Sequence, residues 1–312
     1  MTDDQLRVFW TPERVKEALR NPAKAPAKRP ARDRAAASSS PPPGLTASAP
    51  ARGFGANTAR SEANAAAGMS VSQEVPPGAG NNIVGKLIYY SPATGKVTHC
   101  SAASIATANK NTIWTAGHCV HPGDGSGQAG WSQYVMYYPG YSRGDDPLGE
   151  WKAARLLAPT AWTQDGDAQE ADVAAVVLSP RLDGNLEDVV GYALGYLFTE
   201  NRTDYGGAAV MGYPGEGYQR SDLDGERLMY CAGDTTDAFP INPFDDRIKI
   251  DCDMGRGVSG GPFVWGPQND PRIVGAASHV ALDDASQRIS DDLFSSEHGS
   301  HAAALINTAN GA

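Results

Sequence analysis

The 312-residue chain is 41% hydrophobic and 20% charged, and its length suits one or two domains, or one two-barrel unit of roughly 200–250 residues plus an extension. Its net charge of −10 is uneven: residues 1–80 carry 11 Lys+Arg against 7 Asp+Glu, a net of +4, which leaves 15 against 29, a net of −14, for the rest. So acidic a main body argues against nucleic acid as partner, since phosphate binding needs clustered cations, and 35 Gly with 22 Pro argue against a helix-rich protein.

In chain order, residues 11–20 read as a short helix, with Thr11 as cap, Pro12 at the first position and Glu13 complementing the dipole. The basic Pro/Ala/Ser-rich stretch that follows has few large apolar residues. Residues 21–80 are therefore expected to be largely without fixed structure, and residues 1–80 together are read as a pro-segment, with Arg60–Ser61 and Glu74–Val75 as candidate cut sites. From Asn82 the pattern changes to strands at Ile83–Tyr90 and Val97–Ala106, split by a turn at Ser91–Gly95, and then Thr112–Thr115 after a hairpin turn at Asn109–Asn111. Further strands are expected at Tyr134–Tyr138, Val173–Leu178, Ala208–Gly212, Leu228–Cys231, Ile248–Cys252, Pro262–Trp265 and Ile273–His279, with one helix at Ala302–Ala309. Many short strands separated by Gly, Pro and Asp make an all-β sandwich or barrel.

The four cysteines fall as two local pairs, Cys100 with Cys119 and Cys231 with Cys252. Three pairings are possible, and the clustering favours the local one. Zinc is the rival reading, but neither pair has C-x-x-C spacing, so no metal and no other cofactor is expected. Disulfides imply an oxidising compartment, hence a secreted protein. The first 30 residues contain no apolar run of the roughly 7–15 residues that a secretory signal needs, and no stretch reaches membrane-spanning length. The cysteines are the stronger of these signals. No membrane partner is expected, and the chain is expected to act as a monomer on protein or peptide substrates.

Acyl transfer to serine requires a hydroxyl, a base for its proton and donors for an oxyanion. Gly257-Val258-Ser259-Gly260-Gly261-Pro262 offers the hydroxyl in a glycine turn that lets the amides of Gly257 and Ser259 point at one spot. Thr115-Ala116-Gly117-His118-Cys119 offers a base at a strand end, and Asp172 stands at the entrance to the apolar run Val173–Leu178, where it can orient the imidazole. Asp165 and Asp167 are secondary candidates for that acid. With Glu170 they also suggest a calcium loop, although ordinary loop solvation accounts for them. His279, His298 and His301 read as surface or packing histidines and His121 as a loop residue.

The order His, Asp, Ser, with Thr115–Cys119 and Gly257–Pro262, resembles the chymotrypsin-like serine peptidases over residues 82–312. Gly212-Tyr213-Pro214-Gly215, the terminal helix and Val258 bring it nearest to the bacterial glutamyl-endopeptidase subgroup. The resemblance implies two six-stranded antiparallel barrels, about 82–180 and 190–300, within a protease domain spanning 81–312, with His118, Asp172 and Ser259 in the cleft between them. It also implies disulfides Cys100–Cys119 and Cys231–Cys252 and a supporting Ser278. Val258 stands where animal enzymes have an Asp that receives a new amino terminus. His279-Val280 stand where a Trp-Gly pair is usual. Asp253 falls where trypsin-like enzymes keep a pocket acid, whereas Met254 and Ala277 replace the Thr and His that glutamyl relatives use. An uncommitted or mildly apolar preference is therefore expected ahead of a glutamyl or a basic one, with His279 as a substitute pocket partner. Two other readings stay open: an inactive protease-like binding module, and an α/β-hydrolase-type esterase, which would place its Ser between strand and helix with Asp and His following.

Overall fold

The chain's structure, a computed structural model, describes residues 2–23, 41–53, 69–76, 81–241 and 246–312. At the N-terminus two helices form where their caps dictate. In α1 (Asp3–Phe9), Thr2 and Gln5 make a reciprocal capping box. In α2 (Pro12–Arg20) the Thr11 hydroxyl accepts from the Arg14 amide, as the Thr-Pro-Glu run predicts. The sequence reading missed α1, whose only apolar residue buried on folding is Leu6.

Besides Asn21–Ala23, which is bridged to His99, two described strands within 21–80 depart from the expectation of no fixed structure. Strand β1 (Ala47–Ala49) pairs with a strand of the second sheet, and β2 (Met69–Glu74) lies antiparallel along another. Both borrow burial from a larger neighbour through backbone pairing, so their own composition carries little sign of it. The Glu74–Val75 bond lies in that ladder, with the Val75 amide on the Leu228 carbonyl at 2.8 Å. Arg60–Ser61 and residues 24–40 of the Pro/Ala-rich stretch fall outside the described residues.

The first all-β unit is a closed six-stranded barrel, ordered β3-β4-β5-β8-β7-β6. Its strands are β3 (Val84–Ser91), β4 (Lys96–Ser104), β5 (Thr112–Thr115), β6 (Gln133–Pro139), β7 (Trp151–Leu157) and β8 (Ala174–Leu178). Leu87, Ile88, Ile113, Trp114, Tyr137, Trp151 and Val176 are buried in the core on one or other side of its wall. β7 escapes the sequence reading because its burial pattern does not alternate and Ala154 and Arg155 face solvent.

The second unit is a curled sheet, antiparallel along the order β12-β13-β16-β15-β14-β10-β11-β2, to which β9 is joined parallel to β15 and carries β1 antiparallel. Its strands are β9 (Gly195–Phe198), β10 (Ala208–Gly212), β11 (Met229–Gly233), β12 (Thr236–Asp237), β13 (Ile248–Asp251), β14 (Pro262–Trp265), β15 (Arg272–Leu282) and β16 (Arg288–Ser295). Short helices α3 (Thr160–Asp165) and α4 (Leu186–Val190) lie in connections, and α5 (Ser300–Asn310) buries Ala302, Ala303, Leu305, Ile306 and Ala309 in the core shared with the first barrel. Trp114 joins the units: its ring stacks on Phe198 at 4.8 Å and its Nε1–H donates to His298 Nε2 at 3.0 Å. Burial, first of all, pushes the His298 imidazole down to about 4, so it stays neutral and serves packing. Among the described residues no helix is long and apolar enough to cross a membrane.

Candidate active site

Each candidate residue sits at an element end that the other unit grips. His118 lies in a 3₁₀ turn, Gly117–Cys119, directly after β5, and Cys119 is bonded to Cys100 of β4. A Cβ on Gly117 would stand 2.8 Å from the buried Trp162 ring, so the turn rests flush against α3. Asp172 lies one residue before Val173 at the mouth of β8, and is fully buried. Its Oδ1 accepts from the His118 amide at 2.8 Å and its Oδ2 from His118 Nδ1 at 2.9 Å. Because that carboxylate takes the Nδ1 proton, Nε2 of the neutral ring is the acceptor. Nε2 is buried with no hydrogen-bond partner among the described residues.

Burial alone would raise the Asp172 carboxyl. The His118 ring and the hydrogen bonds from His118 and Ser278 outweigh it and hold the group below the usual carboxylate range. Ser278 donates to Asp172 Oδ2 at 2.5 Å, and Ser296 donates to the Asp172 carbonyl at 3.1 Å. Asp167 is turned elsewhere: its Oδ1 caps the amides of Gln169 and Glu170.

The Ser259 loop precedes β14 and is clamped by Ser101, a buried β4 residue that the sequence reading missed. The Ser101 amide donates to the Ser259 carbonyl at 2.7 Å, and its hydroxyl donates to the Gly257 carbonyl at 2.9 Å while accepting from the Tyr213 amide. The backbone turns sharply twice here, with φ +95° at Gly257 and +79° at Gly260. A Cβ on Gly260 would overlap Thr115 Oγ1 and the Ser101 carbonyl, so this glycine lets the second unit's loop press against the strand that leads into His118. The amides of Gly257 and Ser259 donate to no carbonyl or side chain among the described residues. Both cysteine pairs are disulfides, the second joining β11 to the residue after β13.

The expected pocket residues gather beside this loop, with partners that the sequence did not announce. Met254, Val258 and Ala277 share one buried cluster. The Asp253 carboxylate is already engaged: Oδ1 accepts from the Ser72 amide of β2 at 2.9 Å, and Oδ2 accepts from Arg220 at 2.8 Å. Arg288 donates to the carbonyls of Asp253 and Met254, both at 2.9 Å. His279 does not enter this pocket; its Nδ1 meets the Ser278 hydroxyl at 2.9 Å and its Nε2 meets Arg247 at 3.1 Å. His121 is buried, and its ring receives the Gly123 amide and contacts the Gly127 carbonyl.

The N-terminal segment reaches the same region. Asn21–Ala23 runs parallel to β4 at His99, whose amide donates to the Asn21 carbonyl at 3.0 Å and whose carbonyl accepts from Ala23 at 2.8 Å. The carbonyls at the end of α2 are capped by the barrel, Ala18 by His99 Nδ1 at 3.0 Å and Leu19 by Lys86 Nζ at 2.7 Å. Pro22 packs on Gly215, whose amide donates to the Arg256 carbonyl beside Gly257.

No protein-family model matches the chain. A curated relative, named an extracellular metalloprotease of Bacillus subtilis (strain 168), is 28% identical over 124 residues, 39% of this chain; the chain spans about a third (36%) of that protein's length. The groups of ligand-type residues among the described residues do not fit a metal. Among the described residues two groups bring ligand types together, Cys100-His118-Cys119 and Cys231-Cys252-Asp253, and in each the two sulfurs are joined to one another and offer no thiolate. Among solved structures, the protease Anisep from Arthrobacter nicotinovorans is 30% identical, covering 77% of this chain and 100% of its own at a TM-score of 0.65. A thermostable serine protease, AL20, from an extremophilic microorganism is 27% identical, covering 75% and 99% at 0.64. A Glu endopeptidase is 20% identical, covering 79% and 99% at 0.56, a likeness of fold. With a closed barrel and a curled sheet meeting at a His–Asp pair and a glycine-flanked serine, and with a 30% identical protease covered along its whole length, the chain belongs to the chymotrypsin-like serine peptidases.

Proposed function

We propose that the chain is a secreted serine endopeptidase in which Ser259 is the nucleophile, His118 the general base and Asp172 its orienting acid. The observation that carries this is a buried Nε2, without a hydrogen-bond partner among the described residues, on a ring whose Nδ1 is held by Asp172. Ser259 Oγ would attack the scissile carbonyl carbon while its proton passes to Nε2. The oxyanion would be held by the amides of Gly257 and Ser259, which are free for it. Collapse expels the amine, which takes the proton from His118. Water then releases the acid by the same steps in reverse. Secretion is supported by the two disulfides, which persist in oxidising compartments. Ser259→Ala should lower peptide hydrolysis by ~10⁴–10⁶-fold, and substantial residual hydrolysis would remove the assignment.

In the same reading the N-terminal segment is a pro-segment, with a boundary revised by what it touches. β2 holds Asp253 through Ser70 and Ser72 and belongs with the sheet. The part to be released lies before β2, and Asn21–Ala23 is its inhibitory element. An extended stretch paired with the β4 edge beside the Gly257 loop occupies backbone groups that an extended substrate would use. Deleting residues 2–23 should raise kcat/KM for a long peptide more than for a short ester; equal effects on both would refute this.

A further inference from the structure

We propose that His279 and Arg247 extend the catalytic polar chain, making His279 a positioning residue that acts on Asp172 through Ser278; this rests on the reading of Asp172 as the orienting acid.

A guanidinium only donates, so Arg247 Nη1 at 3.1 Å makes His279 Nε2 an acceptor. The neutral ring must then carry its proton on Nδ1, 2.9 Å from Ser278 Oγ. Ser278 Oγ accepts that proton's hydrogen bond and spends its own hydrogen on Asp172 Oδ2 at 2.5 Å. One direction therefore runs along the whole chain: Arg247 to His279 to Ser278 to Asp172, with His118 donating from the other side. A hydroxyl that accepts a hydrogen bond becomes a better donor, so the imidazole strengthens the Ser278–Asp172 bond.

The backbone is built for this. Neighbouring side chains on a strand point to opposite faces, and Ser278 and His279 can meet because the β15–β16 register shifts between Ala277 and His279. The ring is held flat by Phe294, its cross-strand partner, stacked at 5.1 Å and 4°. Arg247 sits immediately before β13, which pairs with β16 on the same sheet. This contact chain brings Arg247 to His279 from outside and Asp172 with His118 from inside.

The test compares His279→Phe, which keeps the ring and its stacking but has no donor, with His279→Asn, whose amide can stand where Nδ1–H stands, in the full chain. We expect His279→Phe to lower kcat about tenfold with KM within about twofold, and to move the acid limb of the kcat/KM profile to higher pH. The sign follows from Asp172: with a weaker Ser278 bond its carboxylate keeps more charge, which favours the imidazolium of His118. His279→Asn should recover most of the lost kcat and return the limb. Arg247→Met, which releases the tautomer, should move the limb the same way and covers the case in which His279→Phe does not fold. An unmoved limb in both His279→Phe and Arg247→Met, or identical Phe and Asn variants, overturns the proposal. The low-field proton of the His118–Asp172 hydrogen bond, followed by proton NMR, reads the same chain without turnover. A carboxylate that keeps more charge accepts more strongly from His118 Nδ1, so the proton should move downfield in His279→Phe and not in His279→Asn, and no difference between the two overturns the proposal even if the wild type proves not to be a peptidase.

Discussion

Adding one methyl group at Gly260 tests how tightly the two units lock the Ser259 loop. The residue has φ +79°, where an L side chain costs ~1–2 kcal/mol. Its new Cβ would overlap Thr115 Oγ1 and the Ser101 carbonyl, and stand 2.8 Å from the Ala116 amide. Two of those three neighbours are backbone of the barrel wall, and the third is a hydroxyl that donates to the Ser101 carbonyl at 2.9 Å. None gives way cheaply, which adds ~1–3 kcal/mol of overpacking. The expected cost of Gly260→Ala is therefore about 3 kcal/mol, or a Tm lower by ~6–12 °C. Gly95→Ala is the control: φ is +66° but nothing lies within 4 Å of the new Cβ, so only the conformational cost of about 1 kcal/mol applies. Differential scanning calorimetry of both variants isolates the steric part. Because relief of the overlap must move Ser259 relative to His118, reaction with a fluorophosphonate should slow ~10²-fold in Gly260→Ala and stay unchanged in Gly95→Ala. Equal Tm and equal labelling rates in the two variants would refute the reasoning.

Three further outcomes follow from partners seen around the site. Since Arg220 neutralises Asp253, cleavage after Lys or Arg should be minor in the wild type and rise in Arg220→Ala; a peptide-library profile in which basic preference is already dominant contradicts this. Burial, then Lys86, pushes His99 of β4 down to about 3, and burial pushes Lys86 of β3 down to about 7; both cap α2 carbonyls, so the chain with its N-terminal segment docked on them holds fewer protons than the chain with it undocked. Docking should accordingly weaken as pH falls, through Lys86 from its ordinary value near 10.5 to about 7 and through His99 from about 6.5 towards 3. Hydrogen exchange of residues 11–23 should be faster at pH 5 than at pH 8 after correction for intrinsic rates, and equal protection would count against it. Replacing Cys100 and Cys119 by Ser opens a link across a sequence separation of 19 and should cost about 3 kcal/mol of stability, measured by urea denaturation.

The parts of this molecule that were legible in the sequence are those whose causes are local. Thr115–Cys119 and Gly257–Pro262 announce themselves because a catalytic turn needs particular residues in a row, and Asp172 stands out by preceding the apolar β8. The α2 helix was readable from Thr11, Pro12 and Glu13 alone. What the sequence did not yield is long-range. Ser101 is one serine among many until β4 brings it to the Gly257 carbonyl, 156 residues away. Arg220 lies in an irregular loop, and its pairing with Asp253 depends on the course of the chain between them. His279 reads as an odd replacement for Trp until the register shift in β15 turns it onto Ser278. β16 was hidden by Asp291 and Asp292 in its middle, which a half-exposed strand tolerates. β1 and β2 were hidden because their stability resides in the strands that they pair with.

That a Ser259 activated by His118 performs the chemistry can be tested by covalent labelling, without any assumption about substrate. Full-length chain and chain lacking residues 2–23 would be treated with a fluorophosphonate and the modified peptide mapped by mass spectrometry. One adduct per chain is expected, on Ser259, formed faster in the shortened chain and abolished by His118→Ala. An adduct on a different residue, or labelling of Ser259 that is indifferent to His118→Ala, would contradict it.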